Sequence, residues 1–206
     1  MYFKITKIWR RLTPNCIWKL DTKQTVYLTF DDGPTPEITE YILDELRKYD
    51  AVATFFCLGK NAERHPDLLK AIKDAGHQVG NHTHCHVKGW KLSTDDYIAN
   101  AQKAEAILDC VKLFRPPYGR IIPAETKALN RLGYKIVMWT NISQDYNHNV
   151  SPEKCIRKVT KHLNSGDIIV FHDSVKASRN MMYALPRVLE AIKAKGLKTG
   201  LIANDL

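Results

Sequence analysis

The sequence lacks the features that mark several classes of protein. None of its apolar runs is long enough to span a bilayer. Its first eleven residues contain no uninterrupted apolar stretch of the kind found in signal peptides, so we expect a cytoplasmic protein. It has no internal repeat, no low-complexity segment and no linker, which indicates one domain. It also lacks the interleaved basic and aromatic residues of nucleic-acid-binding motifs, so we expect no nucleic-acid partner.

The cysteines do not form a disulfide framework. There are five of them, an odd number, and they are widely spaced without any CxxC pair. Reduced thiols in apolar surroundings are the simplest interpretation. Cys85 differs because it lies inside a group of histidines, where a soft metal ligand is the alternative.

Positive charge exceeds negative charge, with a formal net charge of +9 over 206 residues. The densest basic stretch is at the start, so we interpret residues 1–24 as a basic arm packed on a domain that spans residues 25–206. Within the arm, Ile5, Ile8, Trp9 and Leu12 have helical spacing, which favours a short helix packed on the core. The alternative is peripheral contact with an acidic membrane surface.

From residue 26 onward, apolar runs alternate with amphipathic segments. The runs predict strands at 26–30, 53–57, 78–80, 113–114, 135–139, 167–171 and 197–202. The segments between them predict helices at 36–49, 66–75, 94–110, 123–132, 151–163 and 180–195. This alternation predicts an α/β fold, a distorted (β/α) barrel of about seven parallel strands. A doubly wound open sheet is the alternative.

Four polar stretches each follow one of the predicted strands directly. They occupy residues 29–34, 82–86, 115–119 and 170–173. Functional groups gather at the carboxyl ends of parallel strands, so we expect these stretches to meet there. Together they supply paired carboxylates, several imidazoles and a guanidinium, which is typical of metal-assisted hydrolysis.

The first two stretches carry candidate metal ligands. Adjacent carboxylates at a strand end point in different directions, so one of Asp31 and Asp32 can bind a cation while the other remains free as a base. His82 and His86 can converge on one ion, and His84 joins them only if the segment is a strand. Two imidazoles and a carboxylate predict a zinc site with open positions, with cobalt, nickel, manganese or iron as alternatives.

The last two stretches are open to structural as well as catalytic interpretations. Arg115 precedes two prolines, so the backbone N–H of Tyr118 is the first free donor after them and a candidate oxyanion contact. The alternative is a structural corner with a surface ion pair. His172 ends the most apolar strand and is a candidate general acid, or a buried core histidine.

In combination, these motifs resemble those of the polysaccharide deacetylases of carbohydrate esterase family 4, the NodB homology fold. The resemblance extends from residue 26 to the end of the sequence. It implies that Asp31 is the catalytic base and that Asp32, His82 and His86 are the metal ligands, and it makes His172 the general acid.

The resemblance also assigns supporting roles. Arg115 would orient Asp31, the Tyr118 amide would help to form the oxyanion hole, and Val170 would line a pocket for the acetyl methyl group. Asp145-Tyr146 matches the remaining motif of the family, and there Asp145 would contact Arg115 or tune His172. Tyr146, Ile142 and Val170 depart from the residues that are common in the family, and these departures bear on substrate preference and on activity.

The implied activity is removal of N-acetyl groups from an N-acetylated sugar or polysaccharide, with release of acetate. An O-acetyl esterase with the same site is one alternative. A catalytically silent carbohydrate-binding protein is the other, although the retained Asp31, Asp32, His82, His86 and His172 favour an enzyme.

Overall fold

Nine strands form one sheet in which every neighbouring pair is parallel. The computed structural model describes Thr13 and residues 15–206. The predicted helical stripe of residues 5–12, and with it most of the basic arm, lies outside the described residues. The strands are β1 (Cys16–Ile17), β2 (Thr25–Asp31), β3 (Ala53–Cys57), β4 (Gln78–Asn81), β5 (Leu113–Phe114), β6 (Lys135–Val137), β7 (Asn141–Ile142), β8 (Ile168–His172) and β9 (Lys198–Thr199).

Helices connect the strands, as expected for right-handed crossovers. They are α1 (Ile38–Lys48), α2 (Gly59–Arg64), α3 (Pro66–Asp74), α4 (Thr94–Leu108), α5 (Pro123–Arg131), α6 (Pro152–Thr160) and α7 (Ser178–Ala194). Across Thr13 and residues 15–206, we find no helix that combines the length and the apolar character needed to cross a membrane.

The strand order is β1-β6-β5-β4-β3-β2-β8-β7, and β9 pairs with the amino end of β2. An antiparallel bridge between Lys19 and Asp167 links the segment after β1 to the start of β8. This is the predicted distorted barrel rather than the open doubly wound sheet. β2 and β8 are neighbours in this order, and their register sets Asp31 beside His172 at their carboxyl ends.

The strands β2, β3, β4 and β5 are buried on both faces, which explains the nearly continuous apolar sequence of β2 and β3. In β2, Val26, Leu28 and Phe30 belong to a core cluster shared with α1 and α7. Tyr27 points the other way, into the interior cluster built from several strands. Thr29 and Asp31 share this interior face with Tyr27, because side chains alternate along a strand. A charged residue on this face therefore needs a partner inside the barrel.

The sequence prediction was wrong in several details. The strands β1 and β7 and the helix α2 were not predicted, and each is too short to show a periodic pattern. The apolar run at 197–202 gives two strand residues and then a short 3₁₀ helix at Ile202–Asp205. The first helix begins at Ile38 rather than at residue 36, because Glu37 caps it together with Glu40.

Candidate metal-binding active site

The four polar stretches meet at the carboxyl ends of β2, β4, β5 and β8. Asp31 and His172 are the last residues of β2 and β8. His82 and Arg115 follow directly after β4 and β5. Since these strands are close together in one parallel sheet, the side chains converge at one end of the barrel.

Asp32, His82 and His86 form a set of candidate metal ligands. One ligand atom from each lies within 4.8 Å of the others. The Asp32 Oδ1 atom is 3.6 Å from His82 Nε2 and 3.4 Å from His86 Nε2. Asp32 Oδ1 is buried and has no hydrogen-bond partner among the described residues. A buried carboxylate oxygen that faces two imidazole nitrogens fits a divalent cation such as Zn²⁺.

The surroundings of the two imidazoles suit this interpretation. His82 Nδ1 lies 2.7 Å from the backbone oxygen of Arg115, to which it donates, and this contact leaves Nε2 to face Asp32. Burial, together with the neighbouring His82, lowers the pKa of His86 to about 4. The His86 ring is therefore neutral at neutral pH, as a metal ligand must be.

The neighbouring candidates lie outside this set. His84 is buried, and its Nε2 lies 3.8 Å from a carboxylate oxygen of Glu63. Cys85 is exposed and is not part of the ligand set. All five cysteines are free thiols.

Asp31 is a buried carboxylate held by Arg115. Arg115 Nη1 donates to Asp31 Oδ1 at 2.7 Å, and only 4% of Asp31 is exposed. Burial disfavours the charged form, but the charges of Arg115, His82 and His172 favour it more strongly, and the net effect lowers the pKa of Asp31. Asp31 is therefore ionised at neutral pH and can accept a proton.

Arg115 is fully buried and is not a surface ion pair. Its guanidinium lies 4.1 Å from the ring centroid of Phe56. It donates to the Thr29 hydroxyl at 2.6 Å and to the backbone oxygens of Val137 and Met138 at 3.3 and 3.0 Å. These contacts fix the guanidinium so that one of its nitrogens faces Asp31.

His172 and Asp145 form the second buried pair of the site. Asp145 Oδ1 accepts from His172 Nδ1 at 2.8 Å, and Asp145 Oδ2 accepts from the His172 backbone N–H, also at 2.8 Å. The sequence analysis left open whether Asp145 contacts Arg115 or His172, and in the structure it contacts His172. Burial favours the neutral imidazole, but Asp145 outweighs it and raises the pKa of His172 to about 9. His172 is therefore protonated at neutral pH and can donate from Nε2.

The remaining predicted residues surround this centre. Tyr118 has a left-handed backbone with φ of 61°, and its ring packs edge-on against His86 at 4.5 Å. Tyr146 packs edge-on against His172 at 4.7 Å. Val170 has no exposed surface and lies beside Thr29 in the register of β8 with β2. Ile142 is half-buried in β7.

A cavity of about 590 Å³ adjoins the centre. Its lining includes Ile142 and three aromatic side chains from the segments that follow β5, β6 and β7, namely Tyr118, Trp139 and Tyr146. Trp90 lies at its exposed side and packs edge-on against Tyr118 at 5.4 Å. An aromatic cleft of this kind suits the apolar faces of sugar rings.

Three supporting residues were not found from the sequence. Thr29 accepts from Arg115, and its place two residues before Asp31 on the same strand face was an available signal. The backbone N–H of Asp173 donates to the backbone oxygen of Asp31 at 2.7 Å and so stabilises the turn after β2. Asn180 in α7 donates to the backbone oxygens of Asp145 and Val150, both at 3.0 Å, and no local pattern indicated this contact.

Comparison with known proteins agrees with this geometry. The family model described as polysaccharide deacetylase matches residues 19–137. Two Bacillus cereus proteins named peptidoglycan-N-acetylglucosamine deacetylase are each 35% identical to the chain. One match covers 85% of this chain and 66% of the relative, and the other covers 88% of both. A chitooligosaccharide deacetylase from Azorhizobium caulinodans is 28% identical, with 84% of this chain and 90% of the relative covered.

Solved structures extend the comparison to the whole fold. A peptidoglycan N-acetylglucosamine deacetylase has a TM-score of 0.90 and 30% identity, with 96% of each chain covered. A Bacillus anthracis protein described as a pseudoenzyme of carbohydrate esterase family 4 has a TM-score of 0.81 and 27% identity, with 89% of this chain and 66% of that chain covered. The chain described here belongs to the polysaccharide deacetylase family, carbohydrate esterase family 4.

Proposed function

We propose that the protein is a metal-dependent hydrolase that removes N-acetyl groups from an N-acetylated sugar or polysaccharide and releases acetate. The observation that carries the proposal is the pair of oppositely protonated groups beside the candidate metal ligands. Arg115 holds Asp31 ionised, and Asp145 holds His172 protonated. One group can thus take a proton while the other gives one.

Each side chain has a defined task in this reaction. Asp31 accepts a proton from the attacking water, and its bond to Arg115 keeps the acceptor oxygen in place. The Tyr118 N–H donates to the oxyanion that develops on the acetyl group. His172 protonates the leaving nitrogen from Nε2, while Asp145 holds Nδ1. Val170 is assigned to the pocket for the acetyl methyl group, and Tyr146 is assigned to substrate binding.

Asp32, His82 and His86 would hold one divalent metal, for which we propose zinc, with cobalt, nickel, manganese or iron as alternatives. When bound, it supplies Lewis acidity that polarises the acetyl carbonyl and lowers the pKa of water.

Protonation of His172 favours an amide over an ester as the substrate. An amide nitrogen leaves poorly unless it takes a proton, whereas an alkoxide depends less on an acid. The raised pKa of His172 therefore supports N-deacetylation, and the names of the relatives support it independently. O-deacetylation at the same site is the alternative.

The existence of a pseudoenzyme with this fold makes a silent protein the second alternative. Retention of both proton-transfer groups and of all three candidate ligands supports activity in this chain. We also propose, from sequence alone, a cytoplasmic location and an N-terminal arm at residues 1–24.

Acetate release tests the proposal directly. Protein treated with chelator, and the same protein resupplied with zinc or cobalt, would be assayed on N-acetylated and O-acetylated sugars. We expect release from N-acetylated sugars that returns with the metal. Release from O-acetylated sugars alone would replace the proposal with the esterase. No release from any substrate despite stoichiometric metal would favour the silent protein.

Single variants test the assigned roles. Asp31→Asn and His172→Ala should each lower kcat by about 10²–10⁴ and keep the metal content. His82→Ala and His86→Ala should lower the metal content as well as the rate. Lys198→Gln, at the amino end of the sheet, is the control and should change neither. Unchanged turnover in His172→Ala would contradict its assignment as the acid.

A further inference from the structure

Three cations surround the mouth of the active site, and each lies over an aromatic ring. Lys88 Nζ is 5.6 Å from the ring centroid of Tyr118, and Lys176 Nζ is 6.0 Å from that of Tyr146. The Arg120 guanidinium is 5.0 Å from the ring of Trp90. All three cationic side chains are in exposed residues. We call Lys88, Arg120 and Lys176 the cationic rim.

The rings connect the rim to the catalytic centre on two sides. Tyr118 contacts His86, and Trp90 contacts Tyr118. Tyr146 contacts His172. Lys88 and Lys176 are thus each one ring away from a histidine of the site, and Arg120 is two rings away. The rim is too far out to touch the reacting acetyl group, but it is placed to contact the units next to it.

The rim cations have no acidic partner within the described part of the chain. Some surface cations elsewhere pair with carboxylates, as in Arg47–Asp44, Lys70–Asp74 and Lys73–Asp109, and others do not, so the rim is set apart by its position over rings at the mouth of the site. The carboxylates near the rim are already engaged, because Asp31 pairs with Arg115 and Asp145 with His172.

Two further carboxylates near the rim make no ion pair with it. Asp32 belongs to the candidate metal set. Glu125, which lines the cavity, is fully buried and accepts from the Ile122 N–H at 3.0 Å. Within the described part of the chain, the rim therefore presents three cations without an ion-pair partner.

We infer that the substrate is an anionic glycan, with carboxylate or phosphate groups on the units that flank the reacting N-acetylated sugar. The inference rests on the proposed function and names the class of substrate for that site. A cation that lies over an aromatic face keeps most of its hydration. It can still donate hydrogen bonds to a carboxylate or phosphate oxygen. Charges of one sign around a cleft also raise the local concentration of an oppositely charged ligand.

The test compares three glycans of equal length: an N-acetylated chitooligosaccharide, its carboxymethylated derivative and its phosphorylated derivative. At low ionic strength we expect kcat/KM for the anionic glycans to exceed that of the neutral one by about tenfold or more. The ratio of kcat/KM for an anionic glycan to kcat/KM for the neutral glycan should fall as salt is added, because salt screens the exposed charges of the rim. The two derivatives show whether carboxylate or phosphate is preferred.

Matched variants separate the rim from the overall charge of the protein. The triple variant Lys88→Gln/Arg120→Gln/Lys176→Gln should reduce the ratio to about one, because the local field is lost. The control Lys23→Gln/Lys135→Gln/Lys198→Gln removes the same charge from exposed residues near the amino ends of the strands and should keep the ratio. A wild-type ratio of one, or an equal fall in both variants, would overturn the inference.

A binding measurement keeps this inference distinct from the proposed function. Affinity of the chelator-treated protein for the same three glycans can be followed by tryptophan fluorescence, since Trp90 contacts the rim. If no glycan releases acetate, the proposed function fails, while tighter binding of the anionic glycans still supports the rim. If all three glycans release acetate equally and bind equally, the inference of an anionic substrate is wrong and the proposed function is supported.

Discussion

Asp31 and His172 at the carboxyl end of the sheet respond to burial in the opposite way from His77 at its amino end. At the carboxyl end, Asp31 and His172 stay charged because each has a buried partner of opposite sign. At the amino end, His77 precedes β4, is 8% exposed, and its buried Nδ1 has no hydrogen-bond partner in the described part of the chain. Burial lowers the pKa of His77 to about 4, so it stays neutral. Charge is kept in the two groups to which we assign proton transfer and is suppressed in His77, where only packing matters.

Left-handed backbone occurs at both ends of the sheet. At the amino end it includes glycine, such as Gly133 before β6 with φ of 85°, and also Gln24 and Asp50, with φ of 63° and 50°. At the carboxyl end it includes Thr83 and Gln144, with φ of 69° and 60°. A residue with a side chain costs about 1–2 kcal/mol in this conformation. At the carboxyl end these residues adjoin His82 and Asp145 of the candidate site.

Removing a partner at the carboxyl end should have the largest effect on stability. Arg115→Met leaves Asp31 buried without its cation, which should lower the free energy of unfolding by about 3–5 kcal/mol. Urea denaturation at pH 7 measures this change. In the double variant Arg115→Met/Asp31→Leu no charge is left unpaired, so most of the loss should be recovered. If the single variant is as stable as the double variant, the pairing argument is wrong.

Acid should act on the amino end through His77. The folded protein keeps His77 neutral down to about pH 4, whereas the unfolded chain takes up a proton near pH 6.5. The stabilisation that depends on neutral His77 is therefore complete above pH 6.5. As the pH drops toward 4 it is lost, and the free energy of unfolding falls by up to about 3 kcal/mol. Urea denaturation at pH 7 and pH 4.5 should show a smaller difference in His77→Leu than in the wild type. His162→Leu, which changes an exposed histidine, should show no such reduction.

Removing the charge of Asp145 should move the alkaline limit of activity. His172 must be protonated to act as an acid, so activity falls as the pH rises through its pKa of about 9. In Asp145→Asn the charge that raises this pKa is gone while burial still lowers it, so the falling limb should move to lower pH. The pH profile of kcat is the measurement. A reduced rate with an unmoved limb would mean that Asp145 acts on position alone.

Substitutions at positive φ should give the smallest effects, of opposite sign for adding and for removing a side chain. Gly133→Ala places a side chain at positive φ, where no other atom lies within 4 Å of the new Cβ, and should cost about 1 kcal/mol. Gln144→Gly relieves the same strain at the carboxyl end and should stabilise by about 0.5–1 kcal/mol. Thermal unfolding of both variants decides this. A loss of stability in both variants would mean that the positive φ of Gln144 does not strain the backbone.

The fold was largely predictable because its long elements carry strong patterns. The apolar runs of β2, β3 and β8 and the amphipathic helices indicated parallel strands with crossovers, and the polar stretches could be placed at the carboxyl ends. The two-residue strands β1 and β7 could not be predicted, because their pairing depends on β6 and β8 rather than on their own sequence.

The candidate ligands, the proposed proton-transfer groups and their partners Arg115 and Asp145 could be named from short motifs. Asn180 lies 35 residues from Asp145 and could not be named, because no local pattern encodes this contact. Thr29 lies 86 residues from Arg115, and only its place on the strand face beside Asp31 indicated a role. The cationic rim depends in the same way on aromatic side chains that come from separate loops.

Arg115 joins two tasks in one residue. Its side chain holds Asp31, and its backbone oxygen fixes the ring of His82. A displacement of this residue therefore moves the proposed base and a candidate ligand together. Selection for a different metal should meet least resistance at Asp32 or His86, because adjustment of His82 would also disturb the proposed proton acceptor. We therefore expect the shared support from Arg115, as well as the ligands, to limit change at this centre.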